Sequence, residues 1–400
     1  MRVAILAIHI LGMCLLLSVF LGCSHPQAQL VTAWNQKAAA TYLDQREGWW
    51  MGWSGAARDH GTFCVSCHTS VAYALSRPTL RTAFVEEGPS VNERKLLENV
   101  RKRVQLWNEV EPFYRDQGYK AAESRGTESV LNALILASYD GQGGRLSDDT
   151  RAAFDNMWAL QLTDGNKKGA WSWLQFDLEP WEANDSQFYG AALAAVAAGA
   201  APENYLSTPA IQSNVTLLRE YLDREYPTQS TINRVMLLWA SAKLPGLLQP
   251  QQRQAIVNEV LSRQQVDGGW ELSSLAYPQT GWRLSRLFRT WLREDGSSQE
   301  QRSDGYATGL IVLVLPQAGL DRNSAPVRRG VEWLMSNQNK TTGAWPSYSL
   351  NKRRNPSSDT GRFMTDAATA YAVLALTQNR NLAVPLALVS EQRHSFSAEP

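Results

Sequence analysis

The residues best suited to chemistry stand together, in Phe63-Cys64-Val65-Ser66-Cys67-His68-Thr69. Two cysteines three apart, followed at once by a histidine, form the attachment pattern of a c-type haem. The thiols of Cys64 and Cys67 add to the haem vinyl groups, and His68 becomes the proximal iron ligand. Two other chemistries fit the same side chains. A CxxC pair can serve as a disulfide or redox couple, and Cys64, Cys67 and His68 can act as zinc ligands. Haem c is the leading reading and zinc the alternative.

Haem c is attached outside the cytoplasm, so the N-terminus bears on that choice. Arg2 is the only charge before an apolar run from Val3 to Gly22, which reads as an export signal over residues 1–23. The run is also long enough for an uncleaved anchor. It ends in Phe20-Leu21-Gly22-Cys23, similar to a bacterial lipobox, although Phe20 replaces the usual Leu. Lipidated at Cys23, the chain would be a membrane-anchored lipoprotein; cleaved within Ser24–Gln29, it would be a free periplasmic protein. With Cys14 in the signal, Cys64 and Cys67 are the cysteines left for chemistry, plus Cys23 if it is retained.

Composition narrows the partners. Among 400 residues, 39 Lys and Arg face 38 Asp and Glu, a net charge of +1. That balance offers no footprint for nucleic acid. An apolar fraction of 44% supplies a sizeable core, and four cysteines are too few for a disulfide framework. No phosphate loop, serine elbow or HExxH motif appears.

A repeat positions the motif. Gln45…Gly48-Trp-Trp50, Gln161…Gly169-Ala-Trp171, Gln265…Gly268-Gly-Trp270 and Gln338…Gly343-Ala-Trp345 each place a Gln, a Gly and a Trp two residues later behind a helix-like stretch. The Gly would end the helix in a left-handed cap, and the Trp would pack back over the turn. Six further stretches, starting at His68, Thr127, Asp185, Thr231, Asp304 and Asp366, are small and apolar nearly all round, as buried helices are. Six amphipathic outer helices alternating with six buried inner ones predict an all-α fold, a closed α/α toroid, over residues 30–385, with a polar tail at 386–400. An open helical solenoid is the other arrangement, but its repeats are shorter.

The turns resemble the QW repeats of squalene–hopene cyclases, and the toroidal subunit of protein prenyltransferases is similar. Arg329-Gly330-Val-Glu-Trp333-Leu334…Gln338…Gly343-Ala-Trp345 is the fullest match. The resemblance spans roughly residues 30 to 380 and implies the toroid, with a central apolar cavity suited to an isoprenoid-like ligand. It also implies an initiating Asp-x-Asp-Asp acid, which this chain lacks. Ser147-Asp148-Asp149-Thr150 reads as a helix cap instead. The remaining candidate acids are Asp185, Asp304 and Asp366 at inner-helix starts, with Glu182 and Glu128 nearby; capping explains each Asp equally well.

Closing a ring of six hairpins would bring the helix beginning at Asp366 beside His68. Met364, two residues earlier, is then the candidate sixth iron ligand; His60 and Met51 are the competing donors, and ordinary packing of Met364 is the alternative. Trp282 to Arg293 reads as a basic amphipathic helix, either packed as an insertion or lying on a membrane. The expected activity is redox or electron transfer with a redox partner. The alternatives are a haem-free cyclase or prenyltransferase-like enzyme, and a non-catalytic toroid binding a lipid or partner.

Overall fold

The computed structural model describes residues 33–115, 117–277 and 291–380. The segment expected to direct export, with Cys23, the stretch 278–290 and the tail at 386–400 lie outside these residues. Among the described residues the regular elements are helices apart from a two-stranded hairpin, so the fold is all-α. None of their helices is long and apolar enough to cross a membrane.

Among the described residues, helices come in six successive pairs: α1 (Gln36–Gly52) and α2 (Ser70–Phe84), α3 (Val91–Gln105) and α4 (Lys120–Gly143), α5 (Asp148–Ala159) and α6 (Ser186–Ala200), α7 (Gln212–Glu225) and α8 (Thr231–Lys243), α9 (Pro250–Leu261) with α11 (Gly305–Gln317), and α12 (Ala325–Asn337) with α13 (Phe363–Gln378). A five-residue α10 (Leu272–Ala276) precedes α11. The second helix of each pair is the more buried; α11 buries every residue from Gly305 to Leu315. These buried helices pack in order, α2 on α4, α4 on α6, α6 on α8, α8 on α11 and α11 on α13, and α13 packs on α2.

The turns explain the order. Gly169, Gly268 and Gly343 have φ of 96°, 92° and 82°, and each is followed two residues later by a tryptophan with no exposed surface. The indole nitrogens of Trp171, Trp270 and Trp345 donate to the carbonyls of Met157, Val260 and Leu334 in the preceding helix, at 2.6, 2.9 and 2.7 Å. A glutamine amide then ties each turn to the next first-of-pair helix. Gln161 donates to the Gly169 and Asn214 carbonyls, both at 3.0 Å. Gln338 donates to Gly343 at 2.9 Å and to Asn35, the cap of α1, at 3.0 Å. The last turn thus docks on the first helix, where a Cβ at Gly343 would lie 2.1 Å from the Ala38 backbone.

Several expectations shift in register. Gln264, not Gln265, makes the third bridge, donating to Gly268 at 2.8 Å and Pro326 at 2.9 Å. Gln45 to Trp50 is not a turn: it lies inside α1, whose face buries Arg46, Glu47 and Trp50. The buried helices expected from Thr127 and Asp366 begin at Lys120 and Phe363. Trp291 to Arg293 are not helical, and Leu292 bridges Ser298.

Aromatic side chains from different buried helices meet one another. Tyr371 of α13 lies 5.4 Å from Tyr306 of α11 and 6.2 Å from Trp239 of α8, between ring centroids. Tyr306 accepts a 3.0 Å hydrogen bond from the Trp181 indole. Two cavities lie near the buried helices. The larger, about 1300 Å³ with its open mouth, is lined by Thr82, Gln142, Gly199, Lys243, Gln317 and Gln378, from the last turns of all six buried helices. The smaller contains the cysteine–histidine motif and is lined from the buried helices by Thr127, Phe363 and Met364.

Candidate functional site

The motif is positioned by a hairpin and a helix cap. β1 (Ala57–Arg58) pairs antiparallel with β2 (Thr62–Phe63), and β2 runs straight into Cys64. Asn99 of α3 holds both backbone groups of Phe63, at 2.8 and 3.1 Å. The Trp50 indole donates to the Cys64 carbonyl at 2.7 Å. Ser66, between the two cysteines, accepts from the Thr69 and Ser70 amides at 3.2 and 3.1 Å. Its hydroxyl therefore satisfies free donors at the start of α2 and fixes the turn that carries the motif.

Cys64, Cys67 and His68 line one cavity, about 1090 Å³ with its open mouth, together with Met364. Its enclosed part, about 240 Å³, is small for a ligand site. Trp50, Trp53, Phe113, Trp181 and Phe363 form much of its wall. His68 sits among them: Phe363 stacks on its ring at 3.8 Å, Trp50 meets it edge-on at 5.0 Å, and Trp181 lies 6.0 Å away.

Burial lowers the His68 pKa to about 3, with Arg46 and Arg354 adding to the effect, so the imidazole is neutral. Its Nδ1 lies 2.7 Å from Thr69 Oγ1, which in turn donates to Asp366 Oδ2 at 2.8 Å. Asp366 also accepts from Tyr42 and Arg46, both at 2.8 Å. Burial raises this carboxyl, and the Arg46 charge opposes that rise. With Asp366 ionised, the single Thr69 proton points to it, so Thr69 must accept from Nδ1–H. The lone pair of His68 is then on Nε2, the arrangement of a ligating histidine whose other nitrogen is held by an outer partner.

The cysteines are free thiols. Burial pushes Cys64 up to about 12 and Cys67 well above its usual value. Thiols so placed are poor redox nucleophiles. Among the described residues no group of three or more His, Cys, Asp or Glu is arranged to hold a metal ion. His60 and Met51 do not line the cavity, and His60 Nδ1 is engaged by Asp59 at 2.9 Å.

None of the three candidate aspartates lines the cavity. Asp304 caps α11, accepting from the amides of Tyr306, Ala307 and Leu272 and from the Ser347 hydroxyl, all within 3.1 Å. Asp185 stands at the N-cap position of α6, half-exposed. Asp366 lies in the first turn of α13 and pairs with Arg46. Of the neighbouring acids, Glu128 is locked to Arg103, both side chains fully buried. Glu182 does line the cavity, and burial raises it to about 7.

Sequence reading missed the aromatic wall, the Thr69 relay and Arg354 at the rim of the cavity. Thr69 could have been noticed as the next residue after the histidine. Arg354 carries no signal, because a basic run such as Lys352-Arg353-Arg354 in a loop is ordinarily solvated. No family model matches the chain, and no curated protein matches it.

Proposed function

We propose that this chain is a closed α/α toroid carrying a covalently attached c-type haem in the Cys64–Cys67–His68 cavity, with a redox or electron-transfer role. Three relations support the toroid: α13 packs on α2, Gln338 ties the last turn to Asn35, and all six buried helices end around one cavity. Export, to the periplasm or to a membrane through a lipid on Cys23, belongs to the same proposal.

The observation that carries the haem reading is the shared cavity of the two thiols, His68 and Met364. Such a donor set, walled by aromatic rings, fits a flat apolar macrocycle. Cys64 and Cys67 would hold it through thioethers, and His68 and Met364 would be donors to its iron. When bound, the group would supply one-electron chemistry. The protein's own part is to keep His68 neutral and oriented through Thr69, and to exclude water with Trp50, Trp181 and Phe363. An isoprenoid-like or other apolar ligand would enter this same cavity, whose wall is largely aromatic.

Expression of the full chain with haem-maturation genes tests the reading. The expected result is a haem absorbance that stays with the polypeptide after denaturation and is lost in Cys64→Ser/Cys67→Ser. A folded chain without covalent haem would sink it.

A second reading rests on Glu182, a burial-raised carboxyl facing an aromatic-walled cavity. Acid-initiated cyclisation would use such a group as its proton donor, with aromatic faces stabilising cationic intermediates. Turnover of a polyprenoid by haem-free protein, abolished in Glu182→Gln, would favour it.

A further inference from the structure

We infer that Arg354 forms a carboxylate-binding subsite at the rim of the cavity, so that the occupant is an apolar molecule bearing a carboxylate. Applied to haem, the inference rests on the reading above and assigns Arg354 to a propionate; the subsite itself stands independently of that reading.

The backbone around Arg354 is held while its side chain is not. Asn351 exchanges two hydrogen bonds with the Glu179 backbone, both at 3.0 Å, and the Arg353 amide donates to Asp295 at 2.6 Å. The Glu294 amide donates to the Asn351 carbonyl at 3.1 Å. The loop is thus fixed against two other segments, and half-buried Arg354 lines the cavity.

Its guanidinium has no hydrogen-bond or ion-pair partner among the described residues. Nearby cations differ in this respect. Arg46 is paired with Asp366 at 2.8 Å and Asp359 at 2.9 Å, and Arg362 approaches Asp359 at 3.9 Å. Glu179 and Glu182 share the cavity; the cation acting on Glu182 is Lys120, itself bound to Glu123 at 2.7 Å. The Arg354 charge reaches His68, whose protonation it opposes.

A guanidinium offers five donors in a planar fork that matches a carboxylate. Beside a wall of tryptophan and phenylalanine, its counterpart is an anionic group on an otherwise apolar body. Haem has that character through its propionates, and so does a fatty acid; the shared chemistry is the carboxylate.

The test uses the full chain purified without haem loading, with binding read from quenching of tryptophan fluorescence. The probes are haemin and its dimethyl ester, and dodecanoate and dodecanol. Wild type should prefer the acid over its neutral partner in at least one pair. Arg354→Gln should weaken that acid by about ten- to a hundredfold and leave the neutral probe unchanged, while Arg354→Lys should recover part of the loss. Discrimination in the haemin pair assigns the subsite to a propionate. Discrimination in the dodecanoate pair alone assigns it to a free carboxylate, and keeps the subsite even if the haem reading fails. Equal affinity for acid and neutral probes, no binding of either acid, or an Arg354→Gln variant indistinguishable from wild type would overturn the inference.

Discussion

Thr69 Oγ1 stands between His68 and Asp366, 2.7 Å from the imidazole Nδ1 and 2.8 Å from the carboxylate Oδ2. Two residues nearly 300 positions apart in the sequence are thereby coupled through a single hydroxyl. Asp366 is anchored in turn by Arg46, so the orientation of the motif histidine depends on α1, α2 and α13 together.

The first prediction follows from this relay. Thr69→Val keeps the side-chain shape but removes the acceptor for Nδ1–H. In haem-loaded protein it should weaken axial ligation by about ten- to a hundredfold. The readout is the rise of a high-spin absorption or electron paramagnetic resonance signal. An unchanged low-spin spectrum would remove Thr69 from the role of positioning residue.

Met364 shares the cavity with His68 and is 5% exposed. As sixth ligand, it should give haem-loaded Met364→Ala an open coordination position, seen as loss of the low-spin spectrum and gain of carbon monoxide binding in the reduced protein. As core filler, the same variant should lose roughly 2–5 kcal/mol in denaturant unfolding and keep its spectrum.

The turn tryptophans and glycines set a stability prediction. Trp171→Ala, Trp270→Ala and Trp345→Ala should each cost about 3–5 kcal/mol in urea unfolding. Gly343→Ala should be at least as harmful, because its Cβ would meet the Ala38 backbone at 2.1 Å. Gly144 has a similar φ of 70° but no neighbour within 4 Å; Gly144→Ala should cost only about 1–2 kcal/mol, the backbone penalty alone. Equal losses at both glycines would argue against the docking of the last turn on the first helix.

Glu47 gives a pH-dependence prediction. It is fully buried on α1, neither oxygen has a well-formed hydrogen bond, and burial lifts its pKa from 4.5 to about 8 despite the nearby Ser70 hydroxyl. Between those values the folded state holds a proton that the unfolded state releases. The contribution of Glu47 to stability is therefore fully present below pH 4.5, falls as pH rises toward 8, and levels above it, by up to about 5 kcal/mol. Glu47→Gln should flatten that slope and be the more stable form at pH 9. A variant that follows the wild-type curve would show that Glu47 is ionised in the fold.

Residues that act on their sequence neighbours were legible without a structure. The Gly and Trp of three turns, the caps at Ser147 and Asp304, and the all-apolar α6 and α11 could be read directly, because turn chemistry and helical period are local. The same local rule failed at Gly48: α1 runs through it, carrying Arg46 to a carboxylate 320 residues away. It also chose Gln265 over Gln264, since a one-residue shift decides which amide faces the next helix.

The sequence by itself determined the helical class, the repeat and the grouping of two thiols with a histidine. Tertiary structure alone decided which charges are spent and which are free. Asp366 became the anchor of His68 because Arg46 and Thr69 meet it there, Asp304 was consumed by four donors, and Glu182 and Arg354 were left facing the cavity. The physical reason is range. A helix or turn is stabilised within a few residues, whereas a buried charge is defined by partners that only folding brings near.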